Sequence, residues 1–135
     1  MLKSNRILFF VVAVLSAAMF FTNGCGKDVG TGKVTGVVTL NGAPLPNTTL
    51  NFATVDGQGL NSMGGTDSDG KYVLYYADGK TGAIPGKYKV TATNARPMED
   101  IPESVPKKYL DFSTTDIEVE VKAGNNIIDV KLTSN

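Results

Sequence analysis

The chain has 135 residues, enough for one domain, and its 13 Lys and Arg balance its 13 Asp and Glu, so no basic footprint for nucleic acid shows in the charge. There is no His, and the single Cys is Cys25. That removes an internal disulfide, the common zinc ligand sets, the Ser-His-Asp triad and any His general base. What remains is carboxylate-only or tyrosine-assisted chemistry, for which the sequence offers no arrangement, so a non-enzyme without metal or cofactor is expected.

In chain order, Lys3 and Arg6 precede an apolar run from Ile7 to Phe21 interrupted only by Ser16. The run is shorter than the roughly 20 residues that cross a bilayer, and residues 1–24 are expected to be a secretory signal. Phe21-Thr22-Asn23-Gly24-Cys25 then sets a small residue directly before the lone Cys. This resembles the lipobox of bacterial lipoproteins, with Thr22 where that family usually carries Leu. The resemblance implies cleavage before Cys25, acylation of Cys25 by palmitate-type chains, and attachment to the cell envelope through the lipid anchor. Gly26 stands where Asp marks inner-membrane retention in that family, which points to the outer membrane. Without residues 1–24 the chain keeps 11 basic and 13 acidic residues. Residues 25–32 are predicted to be the lipidated Cys and a flexible tether with a reach of roughly 20 Å. Residues 33–135 form the globular domain.

Val34 to Leu40 alternates, with Val34, Gly36, Val38 and Leu40 on one face, a strand signal. Asn41-Gly42 is a two-residue hairpin signal, and Pro44 and Pro46 delay the next strand. That strand, Thr48 to Val55, turns Leu50 and Phe52 inward. Leu60 to Thr66, with Gly64-Gly65, is expected to be an edge or bulged strand. Thr66-Asp67-Ser68-Asp69-Gly70-Lys71 is a tight polar turn in which Asx side chains fold back on backbone N–H groups and Gly70 takes a positive φ. It feeds the aromatic strand Tyr72–Tyr76. Ala77 to Gly86 is read as a loop. Lys87 to Asn94 alternates with Tyr88, Val90 and Ala92 inward. Arg96 to Thr115 is a long excursion with three prolines. Ile117, Val119 and Val121 form the next inward row, Gly124-Asn125 a turn, and Ile128, Val130 and Leu132 the last row. Seven short strands with frequent turn signals predict an all-β sandwich.

Val34-Thr35-Gly36-Val37-Val38 with Asn41-Gly42-Ala43-Pro44-Leu45-Pro46-Asn47, the turn Thr66–Tyr72, Ile84-Pro85-Gly86-Lys87-Tyr88-Lys89-Val90, and the closing runs Val105–Tyr109 and Val119–Lys122 resemble carboxypeptidase regulatory-like domains. The likeness spans about residues 33–133. It implies a seven-strand, prealbumin- (transthyretin-) like Greek-key sandwich that serves as a non-catalytic accessory. Fold alone does not settle activity. The hydrolase branch of transthyretin-like folds and the intradiol dioxygenases depend on His, which this chain lacks.

Four groups of residues invite function. Asp67-Ser68-Asp69-Gly70 has the flavour of a calcium loop, but EF-hand spacing would put Gly65 first and Tyr76 last, so a structural turn of Asp67, Asp69 and Gly70 is expected. Lys33 with Asn125 or Asn126 sits where related adhesin domains form a Lys–Asn cross-link; a solvated lysine is the expectation. Tyr72, Tyr75 and Tyr76 place rings on both faces of one strand. They are candidates for ligand binding, although a strand apolar on both faces is expected to be covered, here by residues 96–115. Cys25 is the lipidation candidate. The function expected is a non-catalytic interaction or structural module whose partner is an envelope protein. The alternative is a carbohydrate-binding module in which the Tyr72–Tyr76 strand and the 95–115 loop hold a polysaccharide. Leu60–Thr66 is the expected docking edge.

Overall fold

The computed structural model describes residues 30–95 and 105–134. β-Branched residues at alternate positions favour pleated, half-buried strands. The strands they build are β1 (Gly32–Leu40), β2 (Ala43–Pro44), β3 (Thr48–Thr54), β4 (Ser62–Gly65), β5 (Lys71–Val73), β6 (Tyr75–Tyr76), β7 (Lys80–Thr81), β8 (Gly86–Asn94), β9 (Glu118–Val121), β10 (Gly124–Ile127) and β11 (Val130–Leu132). Among the described residues the one helical element is the 3-10 turn Lys107–Tyr109, and no helix is long and apolar enough to cross a membrane.

The strands form two sheets. In the first, β1 is central. β5 and β2 pair with it antiparallel on one side, and β10 and β11 pair with it parallel on the other. Thr35↔Ile127 and Val38↔Val130 share one register offset, so β10 and β11 are one strand broken at residues 128–129. The second sheet runs β7-β6-β4-β3-β8-β9 with every pair antiparallel. Val34, Val38, Tyr72, Val130 and Leu132 from the first sheet meet Leu50, Phe52, Tyr88, Val90 and Val121 from the second, all buried. The core is thus the two inward rows of a two-layer β structure.

One segment belongs to both layers. Leu74 separates β5 from β6; its N–H donates to Val34 O of the first sheet at 3.0 Å, and its C=O accepts from Gly82 N beside the second at 2.7 Å. Its side chain is fully buried. The expected continuous Tyr72–Tyr76 strand is therefore two short strands in different sheets, because the chain crosses between layers at Leu74.

The break between β10 and β11 has a local cause. Tyr72 pairs with Gly36 on β1, and its hydroxyl donates to Ile128 O on the far side of that strand. A Cβ at Gly36 would lie 2.0 Å from Ile128 O and 3.1 Å from the Tyr72 ring. Only glycine lets the carbonyl turn in and the ring reach it. Val37 N, deprived of a ladder carbonyl, donates to Asp129 Oδ1 at 3.0 Å. Backbone groups taken out of the ladder need other partners, and two side chains supply them.

Asn41 and Gly42 both have positive φ, 50° and 86°, as a type I′ hairpin requires. Three expectations are corrected. Leu60–Thr66 is not an edge: β4 lies between β3 and β6, and the edges of the second sheet are β7 and β9. Gly124-Asn125 is not a turn but the start of β10, since the chain reverses at Lys122-Ala123 to run beside β1. Residues 77–86 contain the β6–β7 hairpin, closed by Asp78-Gly79 with φ of 58° and 76°.

Candidate functional site

The Asp67 turn is built as its residue types suggest. Asp67 Oδ1 accepts from Asp69 N and Lys71 N, each at 2.9 Å, and Gly70 N donates to Asp67 O at 3.0 Å. Gly70 has φ 74°, and a Cβ there would sit 2.7 Å from Val38 O, so this turn packs its backbone against β1. Asp69 contributes its backbone N–H and an exposed side chain. Among the described residues no three Asp, Glu, Cys or His come together.

The three tyrosines part company. Tyr72 is 2% exposed, with its ring tilted against Phe52 at 6.2 Å, so it is a core residue and not a ligand platform. Burial, reinforced by the nearby Asp129 charge, pushes its hydroxyl far above the usual tyrosine range. Tyr76 is half-buried in the row Phe52↔Ser62↔Tyr76, two members of which are buried. Tyr75 alone is presented outward, 48% exposed, directly across from Met63, 52% exposed. Of the segment 96–115 expected to cover Tyr75, the described residues 105–115 do not lie on it. The described part of that segment runs along β8 instead: Thr115 Oγ1 donates to Val90 O, and Lys89 Nζ donates to Phe112 O. β8 is three strands from β6, roughly 14 Å. Residues 96–104 lie outside the described residues, as do residues 1–24, Cys25 and the tether up to residue 29.

Beside Tyr75 the two sheets diverge and leave a groove of about 430 Å³ lined by Gly65, Asp67, Lys71, Tyr72, Val73 and Tyr75. On the inner face of β4, Gly64 packs closely on β5, and an added Cβ there would stand 2.5 Å from Val73 O. One residue on, at Gly65, an added Cβ would meet nothing within 4 Å. Thr66 N donates to Thr48 O, and Thr48 N donates to Thr66 Oγ1. Bonded and non-bonded pairs alternate in an antiparallel ladder, so Gly65 turns its N–H and C=O away from β3 and toward this groove. The residues missed from sequence are Gly65, Lys71 and Met63. The available signal for Met63 was its alternation with Ser62 and Gly64, but its pairing with Tyr75 depends on a non-local register.

Lys33 and Asn125 are register partners in the β1–β10 pair, both exposed, and among the described residues no Asp or Glu is buried. Asn126 instead ties the β9–β10 reversal: it accepts from Lys122 N at 2.9 Å and donates to Lys122 O at 2.8 Å. Around residue 109, burial would raise the Tyr109 hydroxyl, but hydrogen bonds with Thr133 and the Lys108 ammonium outweigh it and lower the pKa. This is a clasp on the last strand, with Thr133 N donating to Tyr109 Oη at 3.1 Å.

No family model, curated protein or solved structure matches the chain.

Proposed function

We propose that this chain is a non-catalytic interaction module of a bacterial cell-envelope lipoprotein, held at the outer membrane by acyl chains on Cys25. In this reading the domain is a carboxypeptidase regulatory-like, seven-strand Greek-key sandwich. The division into two sheets around one core supports that assignment, as do the turn motifs at Asn41-Gly42 and Asp67–Gly70. The anchor rests on the charged start, the apolar run and the single Cys at its end. The observation that carries the interaction role is Tyr75 with Met63: two large apolar side chains, each about half exposed, facing one another across β4 and β6 beside a groove. The test has two arms. Cys25→Ala is expected to move the protein from the membrane fraction to the soluble one, and firm membrane retention overturns the anchor. A photoreactive residue at Met63 is expected to give an envelope adduct in native membranes, whereas one at Lys131, on the other sheet, gives none. Absence of any adduct from position 63 overturns the module.

The second reading, carbohydrate binding, is favoured by Tyr75 alone. The 105–115 segment and Tyr72 play no part in it.

A further inference from the structure

We propose that the groove between Gly65 and Tyr75 receives one pyranose unit of a glycan, stacked on the Tyr75 ring and hydrogen-bonded to Asp67, Lys71 and the Gly65 backbone. The proposal rests on the reading of the chain as a non-catalytic binding module and names the class of partner.

Shape is the first argument. At about 430 Å³ the groove lies toward the small end of the range for small-molecule sites, roughly 300–1,000 Å³. It is open to solvent at Gly65, where an added Cβ would meet nothing within 4 Å. An added peptide strand would have to run beside β4, where Met63 already pairs with Tyr75 of β6. A compact ring entering from solvent does not meet that obstacle.

Chemistry is the second argument. A pyranose has a face of C–H groups and a rim of hydroxyls that both donate and accept. The aromatic face of Tyr75 carries negative quadrupole density that suits the C–H face. Asp67 Oδ1 is occupied by Asp69 N and Lys71 N, while Oδ2 has no partner among the described residues and can accept from a hydroxyl. Among the described residues the Lys71 ammonium has no ion-pair partner, and it can donate. Gly65 offers one backbone donor and one acceptor. An acceptor carboxylate, a donor ammonium and both backbone functions match a group that is neutral and polar in both senses. A lone apolar side chain would leave all of them unpaired, at a cost in desolvation.

The experiment uses the full chain in detergent micelles on an array of immobilised microbial and plant polysaccharides. Wild type is expected to be retained by at least one polysaccharide class. Tyr75→Ala is expected to lose at least tenfold of that signal, Lys71→Met severalfold, and Tyr75→Phe within about threefold, all with an unchanged melting temperature. The site is overturned if no polysaccharide is retained above the Tyr75→Ala background. Retention that Tyr75→Ala leaves intact overturns it too, as does competition by an unstructured peptide pool. Failure here with the Met63 adduct intact removes only the glycan site, whereas loss of the adduct removes the module itself.

Discussion

Tyr72 and Tyr75 are three residues apart and of one type, yet they do opposite things. Tyr72, on β5, is locked in the core beneath Gly36 and satisfies Ile128 O. Tyr75, on β6, stands half out of the second sheet at the mouth of a groove. Leu74 divides them by sending the chain from one layer to the other. Period two already sets two residues three apart on opposite faces, and the burial of residues 72–76 keeps that alternation; the crossing at Leu74 adds that the two rings belong to different sheets. Alternation alone would have put Tyr72 and Tyr76 on one face of one strand, and they lie in separate sheets.

The comparison breaks most visibly if the two rings are removed. Tyr72→Ala is expected to cost about 3–5 kcal/mol of stability, the usual range for emptying an aromatic site in a core. Tyr75→Ala is expected to stay within about 0.5 kcal/mol, as surface changes do. Urea denaturation of both variants checks this, and similar losses would erase the distinction.

Removing only the Tyr72 hydroxyl sharpens it. Tyr72→Phe leaves Ile128 O without its side-chain donor and is expected to cost about 1–3 kcal/mol. It also carries a pH signature. The folded hydroxyl holds its proton more tightly than the unfolded one. Its stabilisation is therefore complete below the ordinary tyrosine pKa of about 10 and lost as pH rises through the higher folded value. The fall in urea midpoint between pH 8 and 11 should be shallower in Tyr72→Phe. A smaller fall remains from Tyr88, which burial, opposed by its bond to Ile84 O and aided by Asp56, also raises.

Asp67→Ala, which frees two backbone N–H groups of an exposed turn, is expected to cost about 1 kcal/mol and to leave the tyrosine environments unchanged. Thermal melts with near-ultraviolet dichroism test both halves of that statement. The smallest effect is expected at Asp111, whose carboxylate is held below the usual range by the Ser113 backbone N–H and then its hydroxyl. Such a group stabilises above its unfolded pKa and loses that contribution as pH falls through its folded pKa. Asp111→Asn should lower stability slightly at pH 7 and flatten the acid limb, the variant and wild-type curves converging at low pH.

Much of the fold was legible because it is local. The inward rows at Leu50 and Phe52, at Tyr88, Val90 and Ala92, and at Val130 and Leu132 follow from period two, and the Asn41-Gly42 hairpin follows from two positive φ angles. Sheet membership was not legible, since nothing near Leu74 states which layer its carbonyl will meet. β10 was hidden because Gly124-Asn125 suits a turn as well as a strand beside β1. Of the site, Tyr75 and Asp67 were visible as residue types. The groove was not, because it exists only where β4 and β5 part, and that parting depends on the crossing at Leu74.

The first and last strands run side by side in the same direction, Gly32↔Gly124 at one end and Leu40↔Leu132 at the other. The chain therefore enters the sandwich at one end and leaves it at the other. When the two ends are pulled apart, β1 and the β10–β11 strand are drawn past each other in shear. Their hydrogen bonds then resist together and not one after another, as they would in a peeling hairpin. Asp129, which accepts from Val37 N, bridges the two strands at the break, and Tyr72 ties Ile128 to β5 across β1. A domain laid out in this way resists mechanical tension along its length far better than its modest core would suggest.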